Sequence, residues 1–312
     1  PSLISLCLAS LTPLKSRNFK LYQPMPNSLP LPSPAALEHS THLTQFIQHD
    51  IKAHGGWISF TRYMELALYA PGLGYYTAGA HKFGEAGDFI TAPELSSLFG
   101  KTLASQMQQI MAQSAPHILE LGAGSGKLAV DMLTELEALN ALPDTYSILE
   151  VSADLRQRQR AHVAAKLPHL LARVHWLDAL PEKFSGAMIA NEVLDALPVH
   201  LVDWCDGGVQ ERGVVANDAG FVYAKRDIAD AELLAAAQNI NVPDDYQSEI
   251  CLAARGLMQS LAARLEQGAL LFIDYGFGAS EFYHPQRNRG TLMCHYRHHA
   301  HDDAFYLPGL QD

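Results

Sequence analysis

The chain has 312 residues, 48% of them hydrophobic, and a formal charge of −11. That length can bury a full core, and no apolar run approaches the ~18 residues that a membrane-spanning helix needs. The acidic balance argues against nucleic acid as a partner, because non-specific binding there depends on clustered Lys and Arg. The cysteines, Cys7, Cys205, Cys251 and Cys294, show no CxxC spacing and so suggest neither a zinc ribbon nor a disulfide framework. A reducing, cytoplasmic compartment fits that usage.

Residues 1–34 read as a disordered or non-native leader, with Met25 the expected start. Lys15, Arg17 and Lys20 follow the apolar run 3–11 instead of preceding it, the reverse of a secretory signal. An acid-poor basic leader also suits mitochondrial transit, which makes the mitochondrial matrix the alternative compartment. Ordered structure is expected from Ala35, since Pro24, Pro26, Pro30, Pro32 and Pro34 cannot occupy a helix interior. Leu37, Leu43, Phe46, Ile47 and Ile51 then follow helical spacing as far as Gly55-Gly56. Ser59 can cap a second helix with Phe60, Tyr63, Met64, Ala67 and Leu68 on its apolar positions, ending before Pro71. The Gly- and Tyr-rich residues 71–87 read as a loop. Thr91-Ala-Pro-Glu94 has the form of a capping box, with Thr91 as N-cap, Pro93 in the first turn and Glu94 reaching back. It predicts a long helix whose face is Leu95, Leu98, Phe99, Leu103, Met107, Ile110 and Met111. Residues 35–113 thus form an N-terminal helical segment.

From residue 117 short apolar strands alternate with helices, the pattern of parallel βαβ units. Strands are expected at 117–121, 146–150, 173–176, 187–190 and 269–274, and helices at 127–139 and 153–166. Between the last two strands lie three strand-like pieces, 199–204, 209–215 and 221–225, separated by turns at Gly207-Gly208 and 217–220, then a helix over 248–266. The predicted architecture is α/β: a mainly parallel sheet with flanking helices, its first half in 114–198, a β insertion in 199–247 on the substrate side, and its second half in 248–312.

The chemistry centres on Glu120-Leu-Gly122-Ala-Gly124-Ser-Gly126, placed directly after the first core strand and before a helix. Glycines let the backbone turn sharply and approach a ligand, and a helix N-terminus offers unpaired N–H groups to an anion. A phosphate-binding loop needs GxxxxGK followed by Ser or Thr, but Leu128 follows Lys127; a dinucleotide fingerprint needs GxGxxG, and here the third glycine comes one residue early. The spacing Glu-x-Gly-x-Gly-x-Gly is the usual arrangement for S-adenosyl-L-methionine (SAM). Glu150 ends the second core strand, where a carboxylate can accept from both hydroxyls of a ribose; the alternative is a surface glutamate. Asp178, after the third, can meet an adenine edge or serve as a turn aspartate. Asn191 and Glu192 end the fourth, facing the crevice at the switch point of the sheet. Glu192 and Asp195 are three apart, so on a helical turn they share a face and can grip a guanidinium, or act as a capping pair.

Together with Leu68-Tyr-Ala-Pro-Gly-Leu-Gly-Tyr-Tyr76, Gly87-Asp-Phe-Ile-Thr-Ala-Pro-Glu-Leu-Ser96, Asn191-Glu-Val-Leu-Asp-Ala-Leu-Pro198 and Phe272-Ile-Asp-Tyr-Gly276, these residues make the chain recognisable. It resembles the MidA-like family of SAM-dependent methyltransferases, bacterial relatives of a mitochondrial protein arginine methyltransferase that assists assembly of respiratory complex I. The resemblance implies a Rossmann-like class I methyltransferase fold, with SAM as cofactor and a protein arginine side chain as methyl acceptor. It also implies that residues 87–96 fold over the cofactor, which puts Asp88, Thr91 and Pro93 in the pocket; a plain capping box explains Thr91 and Glu94 equally well. A further strand or two are expected beyond Asp312. Rival readings are another methyl acceptor, or an assembly factor that binds SAM without turnover. The resemblance provides no metal, and the cluster Cys294, His295, His298, His299, His301, Asp302 and Asp303 matches no standard zinc spacing, so a polar loop lining the substrate cleft is expected there.

Overall fold

A computed structural model describes residues 29–78, 91–205 and 208–312, and Leu31–Asp312 form a compact unit. Ser33 opens the first helix: its hydroxyl accepts from the Ala36 amide, Pro34 fills the first turn, and α1 runs Pro34–Ala53. A left-handed Gly56, whose amide returns to the Ile51 carbonyl at 2.8 Å, ends it. The buried face is Ala36, Leu43, Ile47 and Ile51, whereas Leu37 and Phe46, expected on it, face solvent. The two-residue strand β1 (Ile58–Ser59) leads into α2 (Phe60–Tyr69), which Ser59 caps as expected.

The long helix predicted after Thr91 is broken. A four-residue α3 (Ala92–Leu95) stops at Ser96, whose extended backbone and hydroxyl then cap α4 (Ser97–Gln113). Thr91 makes no side-chain cap bond, and Glu94 accepts from the Ser125 hydroxyl, so the capping box does not form. The break rotates the apolar stripe: Leu103, Ala104, Met107 and Met111 are buried, but Leu95 and Leu98 are 71% and 68% exposed.

The core follows: β2 (His117–Leu121), α5 (Lys127–Ala138), β3 (Thr145–Leu149), α6 (Ala153–Lys166), β4 (Val174–Leu177) and β5 (Phe184–Asn191). After an antiparallel excursion through β6 (His200–Cys205), β7 (Gly208–Asn217), β8 (Gly220–Asp227), α7 (Ala231–Gln238) and β9 (Tyr246–Ile250), the chain returns by α8 (Leu252–Arg264) to β10 (Leu265–Ile273). The helix predicted from residue 248 therefore starts at Leu252, and its last two residues belong to β10. A short α9 (Ala279–Phe282) and the hairpin β11 (Cys294–Tyr296) and β12 (His299–His301) complete the described elements.

The core sheet has the order β10-β5-β2-β3-β4, with every pair parallel. This is the mainly parallel Rossmann-like sheet that the βαβ pattern predicts. Its central strands are buried on both faces, as parallel sheets require. Ile118, Ala187 and Ile189 pack with Leu103 and Met107 of α4 and Leu133 of α5; Leu119, Leu121, Met188 and Ala190 pack with Leu261 of α8. Each fully buried aliphatic contributes about 1.5–3 kcal/mol. Where β5 meets β10, Gly268 lies opposite Gly186, and a Cβ on Gly268 would fall 1.8 Å from the Gly186 carbonyl oxygen.

The excursion forms a second, five-stranded sheet that also recruits β1. β8 pairs along one edge of β7, while β6 and β1 share the other, with Ile58 opposite Val214. Leu43, Ile47, Phe60 and Tyr63 of α1 and α2 pack against Leu201, Val214 and Phe221 of this sheet. The N-terminal helices and the insertion thus share one core.

Candidate functional site

The order of the core sheet reverses at β2, which lies between β3 and β5, so a crevice opens at the carboxyl ends of β2 and β5. The glycine loop fills its floor. Gly122, Gly124 and Gly126 all have positive φ, at 61°, 53° and 80°, a geometry L side chains adopt only with strain. The Gly122 amide is used by the Leu149 carbonyl and that of Gly126 by Ala123, while no hydrogen bond among the described residues occupies the amides of Ala123, Gly124 and Ser125.

Glu120 lies beneath this loop, only 2% exposed, and accepts from the Tyr146 hydroxyl at 2.7 Å. Burial pushes its carboxyl up to about 7; the Tyr146 bond opposes that shift and the nearby charge of Glu150 adds to it. Glu150, also buried, accepts from the Ser152 amide on one oxygen and from the Gln159 amide group on the other, both at 3.0 Å. Burial holds it above the ordinary carboxylate range, against those bonds. The Val151 amide bonds it as well, and a carboxylate has about four acceptor positions, so part of its capacity is left for a diol.

Two residues of α6 carry no signal in the sequence. Gln159 is fully buried: its nitrogen donates to the Gly124 carbonyl and to Glu150, each at 3.0 Å, and its oxygen accepts from the Trp176 indole at 2.9 Å. Arg156, one turn earlier, donates to the carbonyls of Glu150 and Leu177 and to the Asp178 carboxylate, each at 2.6 Å. Asp178 thus stands at the rim, 93% exposed on its side chain and held by Arg156. Nothing in a highly polar helix distinguishes these two side chains until their tertiary partners are known.

Across the crevice, Asn191 ends β5 with its Oδ1 buried and without a hydrogen-bond partner among the described residues. Glu192 has φ 50°, a strained value for a non-glycine residue, and its amide donates to Ile273 at 2.8 Å. Burial raises its carboxyl above the ordinary range, while the Ala92 amide and the Asn191 side chain, which also bond it, act in the opposite direction. The 192–198 segment is a turn, not the helical turn predicted for Glu192 and Asp195. The two carboxylates nevertheless feel each other, and Asp274 joins them. Asp274 accepts from the amides of Leu194 (2.8 Å), Asp195 (3.3 Å) and Tyr275 (2.9 Å), and the Tyr275 hydroxyl donates to Asp195 at 2.5 Å. In the sequence Asp274 and Tyr275 stand out only as part of a family motif; their bonds to a turn some eighty positions away depend on β10 lying beside β5.

Pro93 is buried in α3, and α3 bridges the crevice, touching Glu192 through Ala92 and the glycine loop through Glu94. Asp88 lies outside the described residues. Beside the Glu150 end, a cleft of about 730 Å³ is lined by Glu65, Tyr69, Gly72, Ser152, Pro198 and His200, among others. Tyr69 ties its wall to the carboxylate turn by donating to the Ala196 carbonyl at 2.9 Å. The Cys294 to Asp303 cluster folds as the β11–β12 hairpin with Cys294 buried, and no group of three or more such side chains among the described residues is arranged to hold a metal ion.

A glycine floor with open amides, a buried carboxylate with spare acceptor capacity and an orphaned Asn191 oxygen fit an adenosyl amino acid, which brings a carboxylate, a diol and an ammonium. Fold and crevice together have the architecture of a class I methyltransferase. Residues 98–312 match the family model described as "Putative S-adenosyl-L-methionine-dependent methyltransferase", and the chain belongs to that family, whose cofactor is SAM. A Burkholderia thailandensis protein of known structure, bound to S-adenosyl-homocysteine, is 50% identical to it, with a TM-score of 0.85 over 91% of this chain and 75% of that one. Among curated proteins, the chain is 29% identical to "Protein arginine methyltransferase NDUFAF7, mitochondrial" of Danio rerio over 82% of its length, and 30% identical to the Bos taurus protein of that name over 89%. It spans 65% and 67% of those relatives' own lengths.

Proposed function

We propose that this chain transfers a methyl group from SAM to a guanidinium nitrogen of an arginine in a protein. The observation that carries the reading is the trio Glu192, Asp195 and Asp274, three carboxylates gathered at the ends of β5 and β10 on the side of the crevice opposite Glu150. A guanidinium is planar, permanently charged and rich in donors, and paired carboxylates are its natural partners. The names of the NDUFAF7 relatives support the same acceptor.

Bound SAM supplies an electrophilic methyl on a positive sulfur, so the protein has chiefly to position the nucleophile. The amides of 123–125 receive the carboxylate of the cofactor's amino-acid end, Glu150 the ribose hydroxyls, and Asp178 the adenine edge. Glu120 and Asn191 sit beside the amino-acid end, with Thr91 and Pro93 above it. Glu192 and Asp195 hold the guanidinium so that one nitrogen faces the methyl. The nitrogen must lose a proton as it is methylated, and Glu192, whose carboxyl is raised by burial, is the better placed acceptor of it.

The cleft by Tyr69 and His200 gives an acceptor side chain room to enter. The cytoplasm of a bacterium is the setting we assign, with Burkholderia thailandensis as the source of the 50% identical protein; the mitochondrial names of the NDUFAF7 relatives support the matrix as the alternative. The test is methyl transfer from labelled SAM into a cell lysate, with the labelled proteins read by mass spectrometry. Methylarginine is expected, with Glu192→Gln lowering the rate by roughly 10²–10⁴-fold, the usual contribution of a general base. Methylation confined to other residue types, or full activity of Glu192→Gln, would reject the assignment.

A further inference from the structure

The carboxyl ends of β2, β3 and β4 form the cofactor half of the crevice, and α6 is fastened to all three by two side chains three residues apart. Gln159 reaches Gly124 after β2 and Glu150 after β3; Arg156 reaches Glu150 by its carbonyl, and Leu177 and Asp178 at the end of β4. Gln159 is buried completely, and three of its four hydrogen-bonding positions are used. A buried amide so committed has one orientation, because a flip would put its nitrogen against the Trp176 N–H and its oxygen against two acceptors. The approach is close as well: a Cβ on Gly126 would lie 3.3 Å from Gln159, so the third glycine makes room for this residue as well as for a turn.

We infer that Gln159, with Arg156, is a positioning residue for the cofactor: it locks the ribose carboxylate and the glycine floor in one register, and thereby sets the preference for a ribose over a deoxyribose ligand. The inference rests on the SAM reading of the crevice. Gln159 reaches the ligand only through Glu150 and Gly124. Without its N–H donor, Glu150 loses the bond that fixes its rotamer and favours its charged form, so its remaining acceptor positions are no longer held toward the diol.

Calorimetry with S-adenosyl-homocysteine and its 2′-deoxy analogue tests this on the full chain. The wild type should bind the analogue roughly 10- to 100-fold more weakly, the usual worth of a hydrogen bond to a charged group. In Gln159→Leu the affinity for S-adenosyl-homocysteine should fall about tenfold or more, and the preference for the intact ribose should shrink to within about threefold. A merely structural role would weaken both ligands alike and leave the preference intact, and that result would overturn the inference. So would strict additivity of Gln159→Leu with Glu150→Gln in a double-mutant cycle. If Gln159→Leu does not fold, Arg156→Met takes its place, because that side chain is partly exposed. It should lower affinity for S-adenosyl-homocysteine by about three- to tenfold and narrow the ribose preference; unchanged binding would equally count against the proposal. Failure of the wild type to bind S-adenosyl-homocysteine at all would instead remove the SAM reading itself.

Discussion

Replacing Glu120 by glutamine should make the protein more stable, and increasingly so as the pH rises. The carboxyl sits under the glycine loop with burial carrying it from an ordinary 4.5 to about 7. Below 4.5 it is protonated in both the folded and the unfolded chain and has no effect. Between 4.5 and 7 the folded protein keeps a proton that the unfolded chain has released, so stability falls as pH rises through that window. Above 7 the loss is complete, on the order of 3 kcal/mol at 1.36 kcal/mol per pH unit. Glu120→Gln removes the titration while leaving an oxygen to accept from Tyr146. Urea unfolding of both proteins at intervals from pH 5 to 8.5 reads the difference directly. The variant's advantage should grow by about 2–3 kcal/mol over that range and then level off. A constant gap across the range would show that Glu120 is ionised in the folded state throughout, which would refute burial as its dominant influence.

Gly268→Ala should be severely destabilising, by about 3 kcal/mol or more, because the added methyl would overlap the Gly186 carbonyl at a φ of 134°; thermal melting checks it, and a shift of a degree or two would mean β10 is not seated on β5 as described. Asp274→Asn keeps the side chain's size but weakens its grip on the Leu194 and Asp195 amides. It should lower methyl transfer at least about tenfold, the worth of one hydrogen bond to a charged group, while changing S-adenosyl-homocysteine affinity less than about threefold. Equal losses in both measurements would place Asp274 with the cofactor instead of the acceptor.

Much of the core was legible because it obeys local rules. The strand 117–121 and the helix 153–166 have the predicted limits, and the other core strands lie within a few residues of theirs, since each is a short apolar run ended by a turn residue. The glycine loop and Glu150 could be placed for the same reason. What the sequence hid depends on contacts between distant segments. Ser96 breaks a helix whose apolar spacing looked continuous, because α3 is held by Ser125 and Glu192. Residues 248–250, expected to open a helix, are strand because β6 offers Tyr246–Ile250 a partner edge. Leu37 and Phe46 keep helical spacing but lie on the wrong side once α1 settles on the insertion sheet. Gln159, Arg156, Asp274 and Tyr275 are polar residues whose roles come entirely from what folding brings beside them.

The stitching of Ile58 to Val214 has a topological result. Among the described residues, the amino-terminal helices hide Leu43, Ile47 and Phe60 against each other and against a sheet made much later in the chain. During synthesis they must therefore wait, greasy side outward, until β7 emerges, which makes that interval the vulnerable one for chaperone capture or clumping. It also means that neither stretch can be trimmed or transplanted alone: removing the excursion would strand the helices, and removing the helices would bare one face of the excursion.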